Sequence, residues 1–217
     1  RAGVCVGLGG NWGALDAVLG VCRARRLPLI LDAAHMAGTR KSGLHAGSGC
    51  AAAVFSFQAV KNLPTADSGM VCMAEPSLDG HVRAMAWMGI DRDTYSRTVS
   101  PPCGQRWRYS VRELGFKYNG NSLMAAIGLA QLPHLEEDNA RRRALAEIYD
   151  GELSGLEPSV ERIRMGEGCV PSRHLYQVLA DERDDLVLHL YSRDIFPGVH
   201  YEPNTDHPVY AHAKGSC

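Results

Sequence analysis

Three segments between Pro28 and Met73 decide the fold, and they read Pro28-Leu-Ile-Leu-Asp32-Ala-Ala-His35, Val54-Phe-Ser56-Phe-Gln-Ala-Val-Lys61 and Ser68-Gly-Met-Val-Cys72. Each segment predicts a short buried strand that is followed by a turn or by the start of a helix. In a parallel α/β sheet, ligands bind beyond the carboxyl ends of the strands. The polar side chains near these ends are therefore expected to converge on one crevice; they are Asp32, His35, Ser56 and Lys61.

The remaining pattern predicts an α/β protein with a mainly parallel sheet. Val4–Leu8 and Leu29–Leu31 are short apolar runs, and the apolar positions that begin at Ala14 recur between them at helical spacing. This arrangement is typical of a βαβ unit. Ala51–Phe57 and Met70–Met73 are apolar on both sides, which favours strands of a parallel sheet covered by helices on both faces.

The second half of the chain predicts longer helices and a smaller domain. The expected elements are a helix at Pro76–Met88, a long helical stretch at Asn121–Tyr149 divided by Pro133, a strand at Arg173–Leu179, a helix at Asp181–Ser192 and a strand at Gly198–Tyr201. Residues 36–50 and 90–107 are expected to be loops. We place a domain boundary near residues 150–170. Residues 1–150 then form part of a large domain, and residues 151–217 form part of a small α+β C-terminal domain.

The composition is that of an ordinary globular protein, because 45% of the 217 residues are hydrophobic and 22% are charged. A formal net charge of -1 does not favour nucleic acid or an anionic membrane surface. The seven cysteines lack a C-x-x-C pair, which argues against a disulfide framework or a metal site and favours a reducing cytoplasm. We expect neither a membrane span nor a signal peptide.

The chemistry is expected at Lys61. A lysine in an apolar strand-to-turn context is desolvated, which lowers its pKa and makes its amine a better nucleophile for Schiff-base formation. Pyridoxal phosphate is the cofactor that most often uses such a lysine, and it needs a carboxylate at its pyridine nitrogen. Asp32 suits that role, Ser56 offers a hydroxyl to the phosphate, and His35 is placed to lie near the ring.

Each of these residues also has a structural explanation. A strand-end aspartate commonly closes a turn or caps a helix. A single lysine after a strand is commonly solvated, a single histidine commonly packs in a core, and a serine inside a strand commonly fills a small space. The order and spacing of the four residues together favour the cofactor site.

Longer motifs resemble a known family. Leu31-Asp-Ala-Ala-His35, followed by Val54-Phe-Ser-Phe and Lys61-Asn-Leu, resembles the DegT/DnrJ/EryC1/StrS family of sugar aminotransferases. Gly115–Leu132 resembles the family segment that leads into its long helix, and Gly198–Pro203 resembles its late G-V-H-Y-x-P segment. The resemblance covers nearly the whole chain with the segments in the right order.

The resemblance implies the aspartate-aminotransferase fold, which is fold type I of the pyridoxal phosphate-dependent transferases, in a homodimer with sites at the subunit interface. It implies pyridoxal phosphate on Lys61, with Asp32 at the ring nitrogen, Ser56 at the phosphate and His35 against the cofactor. The implied reaction moves an amino group from glutamate to a nucleotide-linked keto sugar, as in polysaccharide biosynthesis, and Lys61 would be its general base and acid.

The sequence departs from the family pattern in three places. In the first, Thr65-Ala-Asp-Ser-Gly69 replaces a turn that is richer in glycine in the family. Many relatives carry an Asn that reaches the partner subunit's phosphate, and the aligned position here is Lys117, with Asn119 close by. We expect Lys117 and Asn119 at the phosphate, although a surface lysine is the alternative. The family's phosphate-gripping turn and its ring-stacking aromatic residue are expected before Arg1. We therefore expect a chain that is truncated at both ends.

Other functions are less consistent with these residues. A keto-sugar dehydratase of the same family would carry His in place of Lys61, and a cysteine desulfurase would carry His in place of Val60. A non-catalytic module of the same fold stays open. A Rossmann-type nucleotide binder is disfavoured, since the G-x-G-x-x-G spacing that starts at Gly7 meets Trp12.

Overall fold

The computed structural model describes residues 1–91 and 109–213. Most of the predicted loop 90–107 lies outside these residues. The described strands are β1 Gly3–Val6, β2 Leu29–Asp32, β3 Arg40–Lys41, β4 Leu44–His45, β5 Ala52–Ser56, β6 Gly69–Met73, β7 Val160–Arg162, β8 Cys169–Val170 and β9 Val178–Ala180. The described α-helices are α1 Leu15–Ala24, α2 Pro76–Ala86, α3 Ser122–Gln131, α4 Leu135–Glu152 and α5 Arg183–Tyr191. Short 3-10 helices lie at Leu8–Gly10, Leu132–His134, Asn204–Asp206 and Pro208–Ala213.

The chain divides into two compact units. The first contains Arg1–Glu152 and Ile163–Gln177, and the second contains Leu153–Arg162 and Val178–Cys217. The candidate site residues predicted from the sequence all belong to the first unit. None of the helices in the described part of the chain is both long and apolar enough to cross a membrane.

A four-stranded sheet with the order β1-β2-β5-β6 organises the first unit. β1, β2 and β5 are parallel, as predicted, but β6 pairs antiparallel with β5. β6 is also largely exposed, so the expectation of a buried parallel strand at Met70–Met73 is wrong. A short antiparallel connection through residues 57–68 reverses the chain between β5 and β6, whereas a parallel pair needs a longer crossover.

Helix α1 covers one face of this sheet. Its side chains at Leu15, Leu19 and Cys22 follow the helical period and are buried together with Leu29 and Leu31 of β2. Burial of each leucine contributes about 1.5–3 kcal/mol, so this contact accounts for much of the local stability. Asp16 in the first turn and Arg23 in the last turn suit the helix dipole. The predicted βαβ unit is confirmed.

The opposite face of the sheet differs from the expected helix cover. Val4 and Val6 of β1 are 68% and 60% exposed, and Val54 of β5 is 39% exposed. In the residues that the structure describes, this face is therefore apolar and open. Asp32 lies on it, because the register pairs Val6 with Asp32 and Asp32 with Val54.

The long helical stretch is divided as predicted. α3 ends at Gln131, a 3-10 turn that contains Pro133 follows, and α4 continues to Glu152. Proline cannot donate the backbone hydrogen bond that a continuous helix needs, which explains the division. Asn121 caps α3, since its side chain accepts a hydrogen bond of 3.0 Å from the Met124 amide.

Some short elements differ from the predictions. The strand expected at Arg173–Leu179 is limited to β9, and residues 198–201, which are described, form no strand. The predicted loop at 36–50 contains the hairpin β3–β4, and β8 pairs with β3. In the second unit, β7 pairs antiparallel with β9, and α5 follows β9. Strands of two or three residues carry too few side chains to show a period-2 pattern in the sequence.

Candidate active site

Two parallel strands place Asp32 and Ser56 at the same edge and on the same face of the sheet. Asp32 is the last residue of β2 and lies opposite Val54 of β5. Ser56 ends β5 two residues later, so its side chain points to the same side as that of Val54. One Asp32 carboxylate oxygen accepts a 3.0 Å hydrogen bond from the Ala34 amide, which fixes the carboxylate at the strand end.

Lys61 lies in the turn that follows β5. Its backbone amide donates a 2.8 Å hydrogen bond to the Gln58 carbonyl, and its side chain is partly buried. This burial lowers the pKa of Lys61 below that of an ordinary lysine, while the nearby Asp32 carboxylate opposes the shift. The structure thus brings Lys61 and Asp32 together from separate segments. It also makes the Lys61 amine easier to deprotonate than a surface lysine.

His35 is held by contacts on its ring and on its backbone. Its Nδ1 accepts a 3.2 Å hydrogen bond from the Gly9 amide, so a neutral His35 carries its proton on Nε2. Gly9 has a φ of 65°, a left-handed backbone conformation that favours glycine over residues with a Cβ. The His35 ring lies against the ring of His174, with a centroid separation of 4.3 Å and an interplanar angle of 38°.

The Ser56 hydroxyl makes a long contact within its own turn. The Gln58 amide donates to Ser56 Oγ over 3.4 Å, and Ser56 is partly buried. Since the oxygen is the acceptor in this contact, the hydroxyl hydrogen is available to donate to an anionic group. The turn is closed by Thr65, whose hydroxyl donates to the Phe57 carbonyl over 2.9 Å.

Lys117 and Asn119 form a separate, exposed pair. Lys117 Nζ donates a 2.5 Å hydrogen bond to Asn119 Oδ1, and it lies 3.8 Å from the centroid of the Trp87 ring. A cation over an indole face is an attractive contact. In the described parts of the chain, no hydrogen bond or ion pair joins this pair to Asp32, His35, Ser56 or Lys61.

Three buried polar residues that no sequence motif pointed to lie next to the candidate site: Asn62, Asn139 and His174. Asn62 follows Lys61 directly, and its side chain is buried against Asn139 of α4 and against His174. Asn139 and His174 each lie more than 70 positions from Asn62 in the sequence, so no local pattern connects them to it. Within residues 1–91 and 109–213, no group of three or more His, Cys, Asp or Glu side chains is arranged to hold a metal ion.

The chain is similar to several solved structures over almost its whole length. The chain is 32% identical to the aminotransferase TlmJ from Streptoalloteichus hindustanus, with a TM-score of 0.84 over 97% of this chain. It is 31% identical to DesV from S. venezuelae, which was solved in complex with a ketimine intermediate, with a TM-score of 0.85 over 100% of this chain. It is 28% identical to a sugar aminotransferase from Micromonospora echinospora, with a TM-score of 0.83 over 99% of this chain.

The chain spans between 55% and 57% of the length of these three proteins. Its sheet and helices fit the α/β fold of the pyridoxal phosphate-dependent transferases. The family model for the DegT/DnrJ/EryC1/StrS aminotransferases matches residues 1–216, which confirms the resemblance inferred from the sequence motifs. The chain therefore belongs to the DegT/DnrJ/EryC1/StrS aminotransferase family.

Proposed function

We propose that this protein is a pyridoxal phosphate-dependent sugar aminotransferase that moves an amino group from glutamate to a nucleotide-linked keto sugar. The observation that carries the proposal is the geometry at the ends of β2 and β5, where Asp32 and Ser56 lie on one face of the sheet and Lys61 lies in the turn that follows Ser56. Burial lowers the pKa of Lys61, which favours the neutral amine that the reaction needs. Membership of an aminotransferase family and similarity to sugar aminotransferases support the same reaction.

The chemistry of the side chains present fits pyridoxal phosphate. An amine that is easily deprotonated can bond to the aldehyde carbon of the cofactor, and Lys61 offers one. A carboxylate can hold a protonated pyridine nitrogen, and a hydroxyl can donate to a phosphate oxygen; Asp32 and Ser56 offer these from one edge and one face of the sheet. When bound, the cofactor supplies an electron sink for the carbanion that amine transfer requires.

The residues of the chain then have separate tasks. Lys61 Nζ would hold the cofactor covalently and, once free, would act as the general base and acid that moves a proton between Cα of the amino donor and the cofactor carbon. Asp32 would keep a proton on the pyridine nitrogen. The Ser56 hydroxyl would orient the phosphate, and His35 would lie against the cofactor.

The acceptor and donor follow from the family rather than from a contact in the site. Relatives described as sugar aminotransferases favour a sugar acceptor. The nucleotide on that sugar and glutamate as the donor come from the motif resemblance. Lys117 and Asn119 are exposed and therefore accessible to a partner subunit. The homodimer itself comes from the motif resemblance.

The domain organisation is part of the same proposal. Residues 1–150 would belong to the large cofactor-binding domain and residues 151–217 to the small domain.

The cysteines in the described part of the chain are all free thiols, which is consistent with a reducing cytoplasm. They are Cys5, Cys22, Cys50, Cys72 and Cys169.

Single-turnover amine transfer tests the proposal. The protein is incubated with pyridoxal phosphate and with glutamate labelled with ¹⁵N, freed of donor, and then mixed with a panel of nucleotide-linked keto sugars. Mass spectrometry should detect 2-oxoglutarate in the first step and a ¹⁵N-amino sugar in the second. Formation of 2-oxoglutarate without any amino sugar would contradict the sugar acceptor. Failure of the first step with glutamate, but success with another amino acid, would contradict the donor.

A further inference from the structure

A buried polar network runs behind the candidate site. Its members are almost completely shielded from water: Thr39, Asn139 and Ser172 are 0% exposed, Asn62 is 5% exposed and His174 is 9% exposed. Burying polar side chains is unfavourable unless each finds a hydrogen-bond partner, so the partners of such a network are informative. Its centre is Asn62, the residue that follows Lys61.

The three hydrogen bonds of the Asn62 side chain have a defined direction. Asn62 Nδ2 donates to Asn139 Oδ1 over 2.7 Å and to the Ser172 carbonyl over 2.8 Å. A carbonyl can accept but not donate, so the amide nitrogen must face Ser172 and the amide oxygen must face His174. His174 Nδ1, which lies 2.9 Å from Asn62 Oδ1, is therefore the donor.

The other members of the network hold the segment that follows Asp32. Ser172 Oγ donates to the His35 carbonyl over 2.6 Å, and Asn139 Nδ2 donates to the Ala37 carbonyl over 3.0 Å. The Ser172 amide donates to Thr39 Oγ1 over 3.0 Å. The His174 ring, which is oriented by Asn62, lies against the His35 ring. One side chain next to Lys61 is thus connected to both the backbone and the ring of His35.

This connection matters because a lysine side chain is long and flexible. A four-carbon stem separates Lys61 Nζ from its Cα, so the amine reaches a defined point only if the Lys61 backbone is fixed relative to the opposing groups. Asn62 fixes that backbone from the next position in the chain. The Gln58 carbonyl holds the Lys61 amide on its other side.

We propose that Asn62 is a positioning residue for Lys61, and that it acts by tying the Lys61 backbone through His174 and Ser172 to the segment that carries Asp32 and His35. The inference rests on the proposed function, in which Lys61 bonds to pyridoxal phosphate. It is distinct from a role in folding alone, because it predicts a specific defect in a reaction of Lys61.

The test compares Asn62→Leu with Trp12→Phe as a control. Both variants remove a side-chain hydrogen-bond donor of a buried residue and leave an apolar side chain in its place. Trp12 Nε1 donates to Asp16 Oδ1 over 2.9 Å, and this hydrogen bond is separate from those of the network. Attachment of pyridoxal phosphate to Lys61 is followed by absorbance at several cofactor concentrations, and borohydride reduction with peptide mapping confirms the site.

We expect the two variants to differ in the limiting rate of attachment. Misplacing a reacting group by about 1 Å lowers a rate by about 100-fold, so Asn62→Leu should slow attachment by about 10- to 100-fold. The cofactor concentration that gives half the limiting rate should change little, because Asp32 and Ser56 are intact. Trp12→Phe should attach the cofactor at nearly the wild-type rate, although both variants unfold at lower temperature. Loss of folded protein alone would reduce the amplitude of attachment and not its rate.

A second variant keeps the test decisive if Asn62→Leu does not fold. His174→Phe retains a ring against His35 but removes the donor to Asn62, and it should slow attachment in the same direction. Equal limiting rates in the wild type, His174→Phe and every folded Asn62 variant would overturn this inference and leave the proposed function standing. No attachment in the wild-type protein would overturn the proposed function and this inference with it.

Discussion

At the residue scale, two opposing effects act on the amine of Lys61. Burial disfavours the charged ammonium and lowers the pKa of Lys61, while the Asp32 carboxylate favours the ammonium and raises it. The burial effect is the larger, so the neutral amine is present at a lower pH than in an ordinary lysine. A neutral amine is the form that can attack a carbonyl carbon.

Replacing Lys61 should abolish the reaction and keep the fold. Lys61→Ala removes the amine that moves the proton, and loss of a general base costs about 100- to 10,000-fold in rate. Lys61 is only partly buried, so the melting temperature should change little. Amine-transfer rates and circular dichroism check both expectations. Lys41→Ala is the control. Lys41 Nζ forms an ion pair with Asp16 Oδ2 over 2.6 Å and has no role in the proposed site.

Replacing Asp32 by asparagine should lower the pKa of Lys61 further. The Asp32→Asn change keeps the size of the side chain and the hydrogen bond from the Ala34 amide, but it removes the negative charge that opposes the burial effect. The sign is therefore downward, and the neutral amine should appear at a lower pH than in the wild type. The pH dependence of Lys61 acetylation, read by mass spectrometry in the absence of cofactor, measures this shift.

Asp16→Asn provides the matched control for that titration. Asp16 is a carboxylate of the same unit that pairs with Lys41, so its removal should leave the midpoint of Lys61 unchanged. A Lys61 midpoint that is unchanged or higher in Asp32→Asn, or that moves equally in both variants, would contradict the predicted effect of the Asp32 charge on the Lys61 amine.

The individual residues differ in how well the sequence predicts them. The proximity of Lys61 and Asp32 follows from two strands that end at one edge of a sheet, which a sequence pattern can show. Asn62, Asn139 and His174 could not be found in this way. Their contacts join positions 77 to 112 residues apart, and a buried polar contact leaves no period in the sequence.

At the element scale, strand pairing sets the geometry of the site. The parallel register of β2 and β5 places Asp32 opposite Val54 and therefore brings Ser56 to the same face. The connection from β5 to β6 then forms the turn that carries Lys61. Because β6 returns antiparallel, this turn is held by ladder hydrogen bonds on both sides, from Ser56 paired with Gly69 onward.

The capping residue of α3 should contribute measurably to stability. Asn121 accepts a hydrogen bond from the Met124 amide and is exposed, so Asn121→Ala should lower the free energy of unfolding by about 1 kcal/mol. Asn121→Ser should retain most of that stability, since serine also caps helices well. Urea denaturation measures both variants, and equal losses in alanine and serine would rule out capping as the cause.

The elements show where sequence patterns lose information. α1 was predicted because Leu15, Leu19 and Cys22 define one helical face, and the division of α3 from α4 was predicted from Pro133. The direction of β6 was not predicted correctly, because an apolar run favours a strand but not its orientation. The strand expected at residues 198–201 does not form, since strand preference depends on a neighbouring strand with which to pair.

At the scale of the whole molecule, the proposed homodimer contains two protomers around shared sites. Lys117 and Asn119 bind each other on the surface, and among the described residues no hydrogen bond or ion pair joins them to Lys61 of the same chain. If Lys117 binds the phosphate in the partner subunit's site, then each site takes Lys61 from one protomer and Lys117 from the other. Substitutions of the two lysines can then be placed on different protomers. Lys61→Ala and Lys117→Ala would each impair both sites of a homodimer.

Mixing these two variants should restore activity. In a mixed dimer, one site carries both substitutions and the other carries neither, so one site is intact. Random reassociation makes half of the dimers mixed, which predicts roughly a quarter of the wild-type activity. Separate assays of each variant provide the baseline. If the activity of the mixture stays at the sum of the two separate variants, then Lys117 either serves the site of its own protomer or lies outside the site.

The covalent attachment of pyridoxal phosphate to Lys61 tests the central claim most directly. The protein is mixed with pyridoxal phosphate, its visible spectrum is recorded, and the product is reduced with borohydride and mapped by mass spectrometry. We predict a yellow absorbance band that glutamate bleaches, with the reduced cofactor on Lys61 and no such band in Lys61→Ala. A protein that gives no band, or that carries the label on another lysine while Lys61→Ala keeps the band, would contradict the assignment.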